Sequence, residues 1–173
     1  EWKRACKHLR DLGLIEKGEA LDCHPLIREY FALELSRDHE VAFKEAHRRL
    51  YEHYTGIAKP LPDTTDEMEP LFRAMGHGCK AGRYQEALDE EYWKRIQRGK
   101  DYSLKELGAF SSDLAAIAGL FETPWRVVRG ELTERDRAFL LAMAGFCLRA
   151  LGRLREAIAP MEAGLEMQIA LAN

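Results

Sequence analysis

Gly82-Arg83-Tyr84-Gln85-Glu86-Ala87-Leu88 and Gly152-Arg153-Leu154-Arg155-Glu156-Ala157-Ile158 are two copies of one phrase, offset by 70 residues. In each, a glycine follows a run of helical periodicity, an apolar residue opens the next run, and an alanine comes three positions later. Glycine can enter the left-handed region and so close a helix within two residues. A turn that short forces the next helix to run back antiparallel to the first, and the alanine lets the two approach closely. The phrase therefore predicts two helical hairpins, with helices over 67–81 and 84–98 and over 134–151 and 154–171. Thr64 with Glu67 and Thr133 with Asp136 have the spacing of capping boxes that open two of these helices. Ser103 with Glu106 offers another, opening a helix over 103–120.

The offset is about twice the 34-residue period of tetratricopeptide repeats, and the second copy resembles that family. Leu141, Ala144, Gly145 and Leu148 stand where its first-helix pattern falls, and Ala157 and Met161 where its second-helix pattern falls. Ile169 replaces the closing proline. The first copy keeps Leu71, Ala74 and Met75, but has Gly78 at an aromatic position and Glu91 at a large apolar one. Residues 103–130 should hold a divergent middle hairpin, with Phe121 to Trp125 as a loop. The competing reading is a generic helical bundle with a chance match. The resemblance implies a superhelix whose concave face takes protein or peptide segments. Tyr84, Tyr92, Trp93 and Trp125 are then candidate partner anchors; the alternative for each is a place in the core.

Residues 1–35 read differently. A helix runs to Leu12, with Trp2, Ala5, Cys6, Leu9 and Leu12 on one face, and Gly13 ends it. Short apolar runs on either side of Lys17-Gly18-Glu19 predict a small β-hairpin, expected to be the only sheet. Pro25 then opens an apolar helix over 25–35. Helix, wing and helix is the order of the back half of a winged helix. The text Leu9-Arg10-Asp11-Leu12-Gly13-Leu14-Ile15-Glu16 followed by Leu21-Asp22-Cys23-His24-Pro25-Leu26-Ile27 resembles that module in the signal-transduction ATPases of the NACHT and NB-ARC type. Bacterial members of that family often place repeats after it. The resemblance implies a phosphate loop, and ATP or ADP, in a domain upstream of Glu1. It also makes His24 a candidate nucleotide sensor, in the place of the Met-His-Asp histidine that contacts the β-phosphate. Cys23 replaces the methionine and Pro25 the aspartate, so the full latch is incomplete. The bottom-up alternative for His24 is a cap on the helix that Pro25 begins.

A helix from Glu40 to Ala58, with Val41, Phe43, Ala46, Leu50, Tyr51 and Tyr54 toward a core, joins the two parts. Lys59-Pro60-Leu61-Pro62-Asp63 cannot continue it and marks a boundary. The predicted organisation is thus all-α with one small β-hairpin: a partial winged helix (1–35), a helical connector (36–60) and tetratricopeptide-like hairpins (61–173). The chain has 173 residues, 46% hydrophobic and 32% charged, with a formal net charge of -3. That balance can bury a core and gives no general attraction to nucleic acid or lipid. Lys3, Arg4, Lys7 and Arg10 keep DNA binding through the first helix as an alternative. No run approaches a membrane span, and the helix in mid-flow at Glu1 reads as a segment of a longer protein.

Four cysteines without metal or disulfide spacing point to reduced thiols and a cytoplasmic location. Gly99-Lys100 lacks the rest of a phosphate loop. His39-Glu40-Val41-Ala42-Phe43 lacks the second zinc histidine, no nucleophile elbow occurs, and Asp89-Glu90-Glu91 reads as a solvated face. Neither a catalytic residue nor a metal or cofactor site is expected in these residues. The leading expectation is a non-catalytic regulatory and interaction segment, its partners being a protein or peptide on the repeats and the ATPase domain of the same chain. The alternatives are a DNA-binding regulator and a plain repeat scaffold.

Overall fold

The computed structural model describes residues 2–15 and 23–172. The chain divides into two compact units, residues 1–44 and 45–173. The fold is all-α with one small two-stranded antiparallel sheet among the described residues. Its helices are α1 (Trp2–Asp11), α2 (Pro25–Asp38), α3 (Glu40–Ile57), α4 (Thr65–Lys80), α5 (Tyr84–Glu86), α6 (Tyr102–Lys105), α7 (Phe110–Ile117), α8 (Glu134–Ala150) and α9 (Leu154–Ala172). A π-helix, Ala87–Gln97, continues directly from α5.

In the first unit α1 ends as its glycine requires. Gly13 has φ +69°, and the Leu14 amide donates back to the Leu9 carbonyl at 2.9 Å. Cys6 is the buried side of α1, whereas Ala5 and Leu12 are exposed. The hairpin predicted around Lys17-Gly18-Glu19 lies outside the described residues. Pro25 occupies the first turn of α2, where a missing amide costs nothing. This helix extends to Asp38 and breaks only at His39, later than the stop read at Ser36. No residue of α2 is buried, so Leu26, Tyr30, Phe31 and Leu33 stand exposed.

In the second unit the repeated phrase builds the same turn twice. Gly82 has φ +77° and Gly152 φ +76°. The Arg83 amide donates to the Gly78 carbonyl at 2.9 Å, and the Arg153 amide to the Leu148 carbonyl at 2.9 Å. These are the long-range bonds of a helix closed by a left-handed residue. The ion pairs repeat as well: Arg83 Nε to Glu86 at 2.6 Å and Arg153 Nη2 to Glu156 at 2.7 Å. Ala87 and Ala157 are both buried where their helices cross. The helices after the two turns differ. α9 is a regular α-helix, but the first copy becomes a π-helix where an α-helix was predicted. Its buried residues, Ala87 and Leu88, Glu91 and Tyr92, Ile96 and Gln97, recur at steps of four and five. That wider step suits i to i+5 bonding.

Thr64 and Thr133 cap α4 and α8 as their spacing predicts, each hydroxyl accepting the amide three residues on at 3.2 Å. Ser103 does not cap. It is buried in the single turn of α6, and Gly108 at φ +62° separates that turn from α7, so the helix predicted over 103–120 is broken. The sheet is another correction. β1 (Phe121–Thr123) and β2 (Val127–Val128) pair antiparallel where a loop was expected. Phe121 and Val128 turn inward and join the core of Leu71, Met75, Leu88, Tyr92, Ile117, Leu140 and Leu148. Of the α3 residues expected inside, Tyr51 is buried and Tyr54 half-buried, while Val41, Ala46 and Leu50 are exposed. The segment 59–63 lies within the second unit, tied down by Arg95 and Arg98 of the π-helix and its cap.

Candidate partner-binding surface

The helical hairpin of α8 and α9 positions an open apolar surface of the second unit. Small residues make the crossing close: a β-carbon at Gly164 would sit 3.0 Å from the Ala142 amide, and one at Gly145 2.3 Å from Met161 Cγ. One face of α9 is spent on that contact through Ala157, Pro160 and Gly164. The adjoining face carries Leu154, Ile158, Met161, Leu165 and Ile169, each between 41% and 60% exposed. Their spacing of four, three, four and four residues is one continuous stripe of an α-helix, about 22 Å long at 1.5 Å per residue. Met161 also lines a cleft of about 370 Å³ with Leu104, Phe139, Ala142, Met143 and Phe146. The Asp101–Lys105 ion pair, 2.9 Å, stands at its rim.

The residues singled out from sequence are dispersed around this surface. Trp125, at φ +61° in the turn of the β-hairpin, packs its ring on Phe121 at 5.3 Å. It lines a small cleft of about 230 Å³ with Arg126, Arg155 and Ala159, beside the first turns of α9. Trp93 is half-buried, edge-on to Phe139 at 4.3 Å, and so sits behind the apolar cleft. Tyr84 is half-buried under the Arg129 guanidinium at 4.6 Å. Tyr92 is not on the surface at all: it is wholly buried and its hydroxyl donates to Asp113 at 2.7 Å. As a partner anchor it is ruled out in this conformation; it is a core residue. His24 is exposed, and its Nδ1 accepts the Leu26 amide at 3.3 Å, so it caps α2.

Two buried polar clusters went unread. Asp113 is fully buried and accepts from Tyr92, from Gln97 Nε2 at 2.6 Å and from Ser103. Burial pushes its carboxyl above the usual range, although the three donors pull the other way. Glu91, taken for part of a solvated face, is 1% exposed. It pairs with Arg95 at 2.7 Å and accepts from the Thr55 hydroxyl at 2.9 Å. Only its place at the large apolar position of the repeat could have signalled that. The cleft above it, about 420 Å³, is bordered by Glu52, Arg83, Glu86 and Glu90.

A third cluster pairs His47 with His77, Nδ1 to Nδ1 at 2.8 Å, with His77 stacked on Tyr54. Among the described residues no three His, Cys, Asp or Glu side chains are grouped so as to hold a metal ion. Burial pushes the Cys79 and Cys147 thiols up to about 12, which favours the inert thiol. No helix among the described residues is long and apolar enough to cross a membrane. The Asp113 and Glu91 clusters are buried, whereas one face of α9 is apolar and exposed. Compared with family models, curated proteins and solved structures, the chain gives no match.

Proposed function

We propose that this chain is a non-catalytic regulatory and protein-interaction segment of a larger signalling ATPase of the NACHT/NB-ARC type, its tetratricopeptide-like hairpins serving as sensor or scaffold. The observation that carries the interaction role is the bare stripe of α9 joined to the cleft at Phe146 and Met161. Contiguous exposed apolar surface of this kind marks a contact site. Support for the repeat reading comes from the two matched turns at Gly82 and Gly152. The ATPase part rests on the resemblance of residues 1–35, with ATP or ADP bound upstream and His24 beside it. In that reading Nδ1 of His24 holds the helix start, which leaves Nε2 for the phosphate.

The segment then acts by binding and by biasing a conformational equilibrium, its effect limited to the partner's differential affinity for the two states. The sequence upstream of Glu1 in the full-length protein is the test. A phosphate loop there, with ADP retained through purification and released by His24→Ala, is the expected result. If that loop is missing, a plain cytoplasmic scaffold replaces this reading. DNA binding is the second reading, favoured by Lys3, Arg4 and Lys7, all exposed on α1. A duplex mobility shift that weakens steeply with salt is its signature.

A further inference from the structure

We infer that the cleft between the β-hairpin turn and the first turns of α9 is a binding site for an aryl phosphate monoester, the chemistry of a phosphorylated tyrosine side chain. The site is separate from the apolar stripe and does not rest on the reading above. Two elements build it. The hairpin turn supplies Pro124, Trp125 and Arg126, and α9 supplies Arg155, Glu156 and Ala159. The turn fixes its tryptophan: φ is +61°, uncommon for a bulky residue, and the ring packs edge-on to the buried Phe121 at 5.3 Å. Trp125 is half-buried, so part of its surface is open to the cleft that it lines.

The charges select the ligand. Both carboxylate oxygens of Glu156 are taken by Arg153, at 2.8 Å from Nε and 2.7 Å from Nη2, so that pair is neutral as a unit. Arg126 and Arg155 are exposed, and among the described residues neither guanidinium has a carboxylate partner. The lining thus carries two uncompensated positive charges. Glu122 on β1 and Glu162, one turn beyond Ala159, are the next carboxylates along the two elements, and neither lines the cleft. A phosphate monoester is close to a dianion at neutral pH, so it matches both guanidinium groups, which grip phosphate oxygens in forked pairs. A carboxylate would neutralise only one. Pro124, Trp125 and Ala159 give the cleft an apolar side, which suits the ring that carries the phosphate. The volume, about 230 Å³, is below the ~300–1,000 Å³ of a site for a drug-sized ligand. It admits one ring with its phosphate rather than a nucleoside polyphosphate.

The experiment titrates the whole 173-residue chain with N-acetyl-O-phosphotyrosine amide and follows the tryptophan indole N–H signals by NMR. The signal that is lost in Trp125→Phe should be the one that moves. Inorganic phosphate, N-acetyltyrosine amide, benzoate and adenosine monophosphate separate the anion, the ring and the nucleotide as sources. Each should bind weaker than the phosphotyrosine amide by about tenfold or more, and added salt should weaken the phosphotyrosine amide itself. Arg126→Gln and Arg155→Gln should each weaken it by about tenfold or more, the scale of one lost charge-assisted contact. Arg135→Gln removes the same charge from the opposite end of the α8–α9 hairpin and should change nothing. All three arginines are exposed, and a melting curve confirms that each variant folds. No movement of the Trp125 signal, or equal losses in all three arginine variants, overturns the proposal. So does equal binding of inorganic phosphate, benzoate or adenosine monophosphate. None of these outcomes bears on the apolar stripe or on the upstream phosphate loop, so the reading above stands or falls separately.

Discussion

Glu91 and Arg95 meet at 2.7 Å in the π-helix, and the same guanidinium closes the end of α3. Arg95 donates to the carbonyls of Thr55 at 3.2 Å, Ala58 at 3.0 Å and Lys59 at 3.1 Å. These are carbonyls that a helix end leaves without partners. The buried carboxylate holds the fork in place, and the fork neutralises the carboxylate. Arg95→Met strips both functions at once and should cost about 3–5 kcal/mol, the range for leaving one member of a buried pair unpaired. Glu91→Met should cost less, because Arg95 keeps its carbonyls. Lysine at 95 should not restore the loss, since a point charge cannot span several acceptors. Urea unfolding of the three variants gives the order directly; equal losses for both methionine variants would show that the carbonyl bonds contribute nothing.

Asp113 makes stability depend on pH in an uncommon direction. Burial raises its folded pKa above the ordinary 3.8. The native state therefore holds this proton more tightly than the unfolded chain. The contribution is fully present below the unfolded value and is lost as pH rises through the folded one. Asp113→Asn keeps the shape, accepts from at least one of the three donors and removes the titration. Subtracting its unfolding free energy from that of the wild type cancels the other carboxylates. The difference should favour the wild type increasingly as pH is lowered toward 3.8. A difference that moves the other way would mean that the three hydrogen bonds outweigh burial.

The glycines of the helix crossings separate two effects of one substitution. Gly164 meets backbone, with the Ala142 amide 3.0 Å and the Ala138 carbonyl oxygen 3.3 Å from an added β-carbon. Nothing flexible can yield there, so Gly164→Ala should destabilise by about 1–3 kcal/mol. Gly76 lies inside α4 with open space around its β-carbon position. Gly76→Ala should therefore stabilise by about 0.5–1 kcal/mol, through helix propensity alone. Thermal melts of the two variants should shift in opposite directions.

These elements also show how far the residues could be read in advance. The turns at Gly82 and Gly152 were legible because their chemistry is local: a left-handed glycine and an arginine–glutamate pair three residues apart. The caps at Thr64 and Thr133 were legible for the same reason. Ser103 had the same local signal, but the buried Asp113 takes its hydroxyl, and that contact is tertiary. The π-helix likewise depends on burying Glu91 against Thr55 and Arg95, across 36 residues in sequence in the first case. Strands of three and two residues are too short to show a period, so β1 and β2 were read as loop. The α9 stripe had the pattern of a core face, and pattern alone cannot tell a covered face from an open one. Among the aromatic candidates, Trp125 is left half-buried by its turn, packed on Phe121, whereas Tyr92 shares its period with the core.

The His47–His77 pair should give stability the opposite pH dependence from Asp113. Burial, with His77 and Lys80 nearby, pushes His47 down to about 4 from 6.5. Burial also lowers His77, helped by Lys80 and Arg73. With Nδ1 atoms 2.8 Å apart, one ring donates to the other, and a second proton at that contact would set two N–H groups against each other and break the hydrogen bond. Above pH 6.5 both states are neutral at His47, and its contribution is constant. As pH falls from 6.5 toward about 4, the unfolded chain takes up a proton that the folded one refuses, and stability is lost. Both rings are only half-buried, so solvent screening reduces the effect below what the full shift implies. His47→Gln retains a hydrogen-bonding side chain without the titration. The wild type minus this variant, followed by urea unfolding, should stay flat above pH 6.5 and decline below it. A flat profile throughout would mean that the pair opens to water before it is protonated.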